Sequence, residues 1–286
     1  MTYREYMNGT PVICSVVPTG YQPLDGHGAN VPTTPEAVAD DVEECALLGA
    51  TIVQLHGRGE GGTPTPSRLP AISTAVTELT DDLLIEYAVS PAAQFGDYLD
   101  VIDEGPVPDI AQVYLGPVQQ GRREVASISR RDVRRFVEHL VDRGIKPNFV
   151  VLNSRDLNEL SRLQQAGVLA TPPMVTVRLG PADGGVATPM ELLALLDAVP
   201  SDATVLVGAT GPNQFPLTTM AVLLGAHVRT GMGDNLYFDA DRPVDRNSQL
   251  VGRVSDVIRH SRREFAAPNE TIEMLSLSES REDIEV

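Results

Sequence analysis

Residues 223–238, LLGAHVRTGMGDNLYF, carry a helix end, a glycine stop, a short strand and a polar loop in immediate succession. The residues leading into Leu224 are apolar and helix-compatible, and Gly225 suits a helix stop because glycine enters the left-handed conformation without steric cost. His227, Val228, Arg229 and Thr230 then read as a strand too short to be other than a buried parallel one. Side chains alternate along a strand, so His227 and Arg229 share one face and Val228 takes the other. In a closed barrel the carboxyl end of such a strand delivers Arg229, Asp234 and Asn235 to the rim where barrel enzymes carry their chemistry. A guanidinium beside a carboxylate suits an anionic substrate that loses a proton, since Arg grips carboxylates bidentately and Asp can accept the proton. The same two side chains would serve equally well as a pair that braces the loop.

Outward from this stretch the chain repeats one rhythm. Residues 12–17 form a first buried strand, closed by Pro18-Thr19-Gly20, and the loop over 21–31 carries Asp25 and His27. Thr34-Pro35-Glu36 has the N-cap and first-turn proline of a helix, whose Val38, Val42 and Cys45 share a face until Gly49 ends it. Further strands are expected over 51–55, 83–89, 110–115, 149–152, 174–179 and 204–207. Helices are expected over 91–103, 130–143, 155–166 and 214–224, behind the capping box Thr188-Pro189-Met190-Glu191, and finally over 246–264. Eight strands alternating with helices predict an α/β fold, a (β/α)8 TIM barrel. The whole of 1–286 reads as one domain, with residues 1–10 a polar lead-in and 278–286 an acidic, frayed tail.

The 39 acidic residues outnumber the 22 basic ones, a net charge of -17. That balance excludes nucleic acid and anionic membrane as partners. Lys146 is the sole lysine, so the surface is acidic and arginine-based, a trait shared by proteins of high-salt habitats and of GC-rich genomes. With no long apolar run and no signal-like start, a cytoplasmic protein is expected. Cys14 and Cys45 read as buried reduced thiols rather than a disulfide framework.

The segment around HVRTGMGDN resembles the GGHVRVGxEDN motif of the β-keto acid cleavage enzymes, of the 3-keto-5-aminohexanoate cleavage type. Other stretches match in the same order. Pro32-Thr33-Thr34-Pro35-Glu36 is similar to the family's PxTPEE helix start, 52–59 to VHIHARD and 111–121 to ASLNxGSxNFG. Gly144-Ile145-Lys146-Pro147 is similar to GIKPE, 179–185 to LGxxGG and 208–216 to GxGRxQLP. The resemblance implies a zinc ion that binds the keto and carboxylate oxygens of a β-keto acid, an Asp that assists as base, and exchange with an acyl-CoA. It also implies homo-oligomers, for which the apolar helices over 187–199 and 215–224 would supply the surface.

Carried over residue by residue, the family pattern gives Asp234 as the base, Arg229 as the motif arginine, and His56 and Arg58 as survivors of the second strand. His56 is the one family metal ligand that remains. Gln54 stands at the other histidine position and Gly233 at the glutamate of GxEDN, so zinc would need a ligand set rebuilt from elsewhere, with Asp25, His27 or Asp234 as the candidate sources. The rim has changed as well. Ala88 and Val89 replace a hydroxyl pair, Tyr114 replaces an Asn, 152–156 replaces FDSGH, and Arg178 replaces an apolar residue of the sixth strand. Asp234, Arg229 and His56 are therefore the candidate catalytic residues, and Arg58, Gln54, Tyr114, Asn153 and Asn235 the candidate substrate-binding ones. The reading is carbon–carbon exchange between a small β-keto acid and an acyl-CoA. A metal-independent enzyme acting on a different small carboxylate, and a non-catalytic small-molecule-binding homologue, are the alternatives.

Overall fold

The computed structural model describes residues 9–21, 28–90, 95–120, 124–169, 172–180 and 187–277. The expected lead-in up to residue 8, Asp25, His27 and the tail from 278 lie outside the described residues. Eight parallel strands close into a barrel whose order around the axis follows the chain: β1 (Cys14–Val16), β2 (Ile52–Leu55), β3 (Leu84–Tyr87), β4 (Ile110–Tyr114), β7 (Lys146–Val151), β8 (Met174–Leu179), β9 (Thr204–Ala209) and β10 (His227–Thr230). Between β4 and β7 stands a hairpin, β5 (Val118–Gln120) and β6 (Glu124–Ala126), and after β10 a second one, β11 (Tyr237–Asp239) and β12 (Arg242–Pro243). The outer helices are α1 (Pro35–Leu47), α2 (Leu69–Leu79), α3 (Phe95–Glu104), α4 (Arg130–Asp142), α5 (Ser154–Gln165), α6 (Pro189–Ala198), α7 (Gln214–Leu223), α8 (Asn247–His260) and α9 (Pro268–Leu275).

The Thr34 and Thr188 caps form as the sequence predicts, and Ser129 caps α4 in the same way. Thr34, Ser129 and Thr188 each accept from a backbone N–H three residues on, all at 3.2 Å. Such caps contribute about 1 kcal/mol each. The α4 stripe of Val133, Phe136, Val137 and Leu140 is buried, and Cys14 and Cys45 are free, buried thiols.

Three features depart from the sequence expectation. α2 fills the interval after β2, where glycines and prolines mask an apolar period; its Leu69, Ile72 and Val76 are buried at helical spacing. β7 starts at Lys146 rather than 149, with Pro147 paired to Ala111 inside the sheet; a proline there loses only the one ladder bond that its missing N–H would make. The chain also ends the fold with α9, which packs Leu275 and Ala266 against Ile13, Ile52, Leu84, Ile110, Met174 and Leu206 at the amino-terminal end of the barrel. Each of the Leu, Ile and Met side chains among them contributes roughly 1.5–3 kcal/mol by leaving water, and together with Ala266 they close that end, so that the carboxyl end of the strands is the one left to admit a ligand.

Met190, Leu193, Leu223 and Leu224 on and beside α6 and α7 are exposed. Among the described residues no helix is long and apolar enough to cross a membrane.

Candidate active site

Inside the barrel the apolar floor gives way within one step to polar side chains. Ser15, Gln54, Glu86, Gln112, Asn148, Thr176 and Arg229 are all buried. Strand alternation turns them to the same interior as the floor residues two positions before. Arg229 lies at the centre, 1% exposed. Its Nε donates to Asp234 Oδ2 at 2.8 Å and one terminal nitrogen to Oδ1 at 3.1 Å. The other donates to Gln54 Oε1 on β2. Gly208 on β9 makes room for it, since a Cβ there would lie 2.9 Å from Arg229 Cδ.

Asp234 is delivered by a tight loop after β10. Gly231 adopts φ 137° against the backbone of Val17, where only glycine fits. Asp234 N–H and Asn235 N–H both return to Gly231 O at 3.1 Å. Gln214 Nε2 donates to the same carbonyl at 3.0 Å, and Asn247 Oδ1 accepts from Met232 N at 2.6 Å. Asn247 is itself fixed by Asp41 Oδ2, at 2.6 Å. Gln214, Asn247 and Asp41, distant in sequence, thus brace the loop.

A second guanidinium joins from β8. Arg178 donates to Asp234 Oδ1 at 3.1 Å and to the Tyr114 hydroxyl at 2.9 Å. Its side chain is 10% exposed against 2% for Arg229 and 0% for Asp234, so Arg178 is the cation nearer the opening. Below the cluster, Asn148 Nδ2 donates to Glu86 Oε1 at 2.6 Å and Thr176 Oγ1 to Asn148 Oδ1 at 3.0 Å.

Charge state follows from these contacts. Burial alone would raise the Asp234 pKa, but Arg229 and Arg178 outweigh it and hold the carboxyl below its usual range. Burial and the same two guanidiniums push His56 down to about 3, so the imidazole is neutral at pH 7. Its Nδ1 has no hydrogen-bond partner among the described residues, and the Tyr21 ring meets it edge-on with centroids 4.9 Å apart. Burial raises the Glu86 pKa, and this exceeds the opposing effects of Arg229 and Asn148.

The expected residues therefore divide. His56, Gln54, Tyr114, Arg229 and Asp234 converge. Arg58 is buried close by, but donates to the Gly20 carbonyl in the loop after β1. Asn153 caps α5 by accepting from Arg155 N at 3.0 Å, and Asn235 closes on the Tyr237 backbone through bonds of 2.7 and 3.1 Å. Both asparagines are engaged with their own local backbone. The residue most under-read in the sequence is Arg178; its signal was a lone cation at an inward position of the apolar run MVTVRL.

The zinc ion implied by the resemblance does not fit these residues. Gln54 offers only an amide, whose oxygen already accepts from Arg229. Position 233 cannot carry a ligand, because a Cβ on Gly233 would collide with the Thr19 carbonyl oxygen. Both oxygens of Asp234 are taken by guanidiniums, and among the described residues no group of three His, Cys, Asp or Glu is placed to hold an ion. Two fixed cations beside the one remaining histidine also oppose a third.

Comparison with known proteins identifies the family and the fold. A profile of the beta-keto acid cleavage enzyme family matches residues 11–277. The chain is 30% identical over 271 residues to 3-keto-5-aminohexanoate cleavage enzyme of Acetoanaerobium sticklandii, covering 94% of this chain and 97% of the relative. It is 23% identical to 3-dehydrocarnitine:acetyl-CoA trimethylamine transferase of Rhizobium meliloti, covering 93% and 96%. The binary complex of ObcA with oxaloacetate shares the fold, with a TM-score of 0.71 at 16% identity, covering 87% of this chain and 67% of that one.

Proposed function

The chain belongs to the beta-keto acid cleavage enzyme family, and from that premise we propose that it exchanges a carbon–carbon bond between a small β-keto acid and an acyl-CoA without a metal at its centre. The observation that carries this is the convergence of Arg178 and Arg229 on Asp234 beside a neutral His56. The exchange begins when a base takes a proton from C2 of the keto acid. The C2 carbanion attacks the thioester carbonyl and expels the CoA thiolate, which then attacks C3. Cleavage of C2–C3 leaves the new acyl-CoA and, with acetyl-CoA as donor, acetoacetate, which recovers the proton. Negative charge appears on oxygen in the enolates and in both tetrahedral adducts, and fixed guanidiniums are suited to hold it in a buried site.

Arg178 binds the substrate carboxylate, being the guanidinium nearer the opening, with the Tyr114 hydroxyl beside it. A carboxylate that engages Arg178 draws that guanidinium from Asp234. With one donor removed, the Asp234 pKa rises and it becomes a better base when substrate is present. Arg229, held by Gln54, stays to steady the enolate oxygen. His56, uncharged and with a ring nitrogen unmatched among the described residues, completes the pocket as a hydrogen-bonding group.

The test is a panel of small β-keto acids with acetyl-CoA, read by mass spectrometry of acetoacetate and the new acyl-CoA, before and after treatment with a chelator. Turnover that survives chelation, and falls by about 10²-fold in Arg178→Met, is the expected result. Turnover that vanishes on chelation and returns with zinc would overturn the metal-free centre. A panel without any turnover would overturn the reaction.

A further inference from the structure

We propose that the outer face of α4 is the docking surface for the nucleotide end of the acyl-CoA, the ADP bearing a 3′-phosphate. The proposal rests on the acyl-CoA reaction proposed above. A thioester reacting beside Arg229 leaves its nucleotide at the far end of the pantetheine arm, so the phosphates belong on the rim rather than in the barrel.

The charge distribution favours one sector of that rim. The chain has 39 acidic and 22 basic residues, yet the first six residues of α4, 130–135, hold four basic and one acidic. In the other basic stretch, 242–263 with six basic and two acidic, Arg242, Arg246 and Arg259 are ion-paired and Arg253 and Arg263 donate to backbone carbonyls. A polyanion is repelled by most of such a protein and drawn to this part. α4 opens with RRDVRR, and Arg130, Arg131, Arg134 and Arg135 are all exposed while the apolar stripe faces inward. The amino end of a helix is its positive end, so guanidiniums there gain nothing from the helix and add to its field.

Pairing divides the four. Arg130 Nε donates to Glu159 on α5 at 2.7 Å, and Arg134 Nε to Glu138 at 2.7 Å. Arg131 and Arg135 make no ion pair among the described residues. They stand four residues apart, where like charges repel on the helix surface and an anion between them is welcome. The cluster also sits at the correct end of the fold. α4 follows the β5–β6 hairpin that leaves the carboxyl end of β4, the strand that ends in Tyr114. The loop after β4 lies against α5, since a Cβ on Gly116 would be 3.2 Å from the Arg155 guanidinium.

Calorimetric titration of the full-length protein with CoA and with dephospho-CoA tests the assignment. The variants are Arg131→Glu/Arg135→Glu, the milder Arg131→Gln/Arg135→Gln, and Arg259→Glu on α8, which changes the net charge by as much as the glutamine pair. The wild type is expected to bind CoA more tightly than dephospho-CoA and to lose affinity as salt rises. The glutamate pair should weaken CoA binding by about tenfold or more, with the glutamine pair intermediate. Arg259→Glu should bind as the wild type does, and the KM for the keto acid should not move in any variant. Wild-type affinity in the glutamate pair, with its circular dichroism unchanged, overturns the location while leaving the reaction standing. A wild type that binds no CoA overturns both, and an RNA oligomer that outcompetes CoA on this face overturns the choice of ligand.

Discussion

The two ends of the barrel are made from the same strands, and their interior residues lie only two positions apart. At the amino-terminal end Ile13, Ile52, Leu84, Ile110, Met174 and Leu206 form an apolar floor under Leu275. Two residues on, the inward positions are Ser15, Gln54, Glu86, Gln112, Thr176 and Gly208. One step along the axis thus separates a layer held by burial from a layer held by charge and hydrogen bonds. The polar side chains of the floor layer, Lys146 and His227, are matched to the Pro172 carbonyl and the Ile13 N–H, whereas among the described residues the upper layer retains buried polar atoms without partners, among them Ser15 Oγ, Gln112 Nε2 and His56 Nδ1. Unmatched buried polar atoms cost stability, and a layer that keeps several of them suits the binding of something polar.

The sharpest way to break this contrast is to delete the central cation. Arg229→Leu leaves Asp234 buried with one guanidinium and Gln54 Oε1 without its donor. Removing one member of a buried pair costs about 3–5 kcal/mol, and losing a fixed oxyanion stabiliser costs about 10²–10³-fold in turnover. Urea unfolding and steady-state exchange rates should show both losses together. Activity within tenfold of wild type would remove Arg229 from the chemistry and leave it as a loop brace.

The matching change in the floor should separate stability from function. Leu275 is fully buried on α9, and Leu275→Ala is expected to cost about 2–5 kcal/mol. The rate per folded molecule should be unchanged, because the cavity opens on the closed side of the barrel. A fall in kcat/KM that exceeds the loss of folded protein would show the two layers to be coupled.

Much of this division was legible before the fold was known. The strands announced themselves as short apolar runs at regular spacing, and β8 and β10 fall over 174–179 and 227–230, the expected residues. Part of the interior chemistry was present in the same runs as isolated polar residues, Glu86 in LIEY and Arg178 in MVTVRL, whereas Asn148 lay just before the expected strand over 149–152. Inward parity follows once a neighbour's face is known, so those positions could be placed, but their partners could not. That Arg178 meets Tyr114 and Asp234 depends on strand stagger around a closed barrel, which a local pattern does not encode. The bracing of the Asp234 loop by Asn247 and Asp41 joins residues 206 apart in sequence. α9 is a short helix behind a proline, and nothing local indicates that a barrel floor awaits it. At Gln54 and Gly233 the difference from the family's ligand pattern came from the resemblance, and the backbone adds that a side chain at 233 would collide with the Thr19 carbonyl.

The smallest effect tests whether burial without function leaves its own mark at the amino-terminal end. His227 begins β10, accepts from Ile13 N through Nδ1 at 3.1 Å, and is pushed down to about 3, chiefly by burial and then by Arg263. The unfolded imidazole titrates near its ordinary value of about 6.5. Between those two values the unfolded chain binds a proton that the folded chain refuses, so stability is present above about pH 6.5 and is lost as pH falls towards 3. From pH 7 to pH 5 this one group should remove about 2 kcal/mol. Glu86, whose folded pKa is raised, works in the opposite sense, because protonation in acid favours its folded form. His227→Asn keeps an acceptor near the Nδ1 position but cannot titrate. Its urea midpoint should therefore fall less between pH 7 and pH 5 than that of the wild type, with the pH 7 exchange rate unaltered. Equal slopes for the two proteins would mean that His227 is hydrated in the folded state and that the floor is less tightly closed than the packing of Leu275 and Ala266 implies.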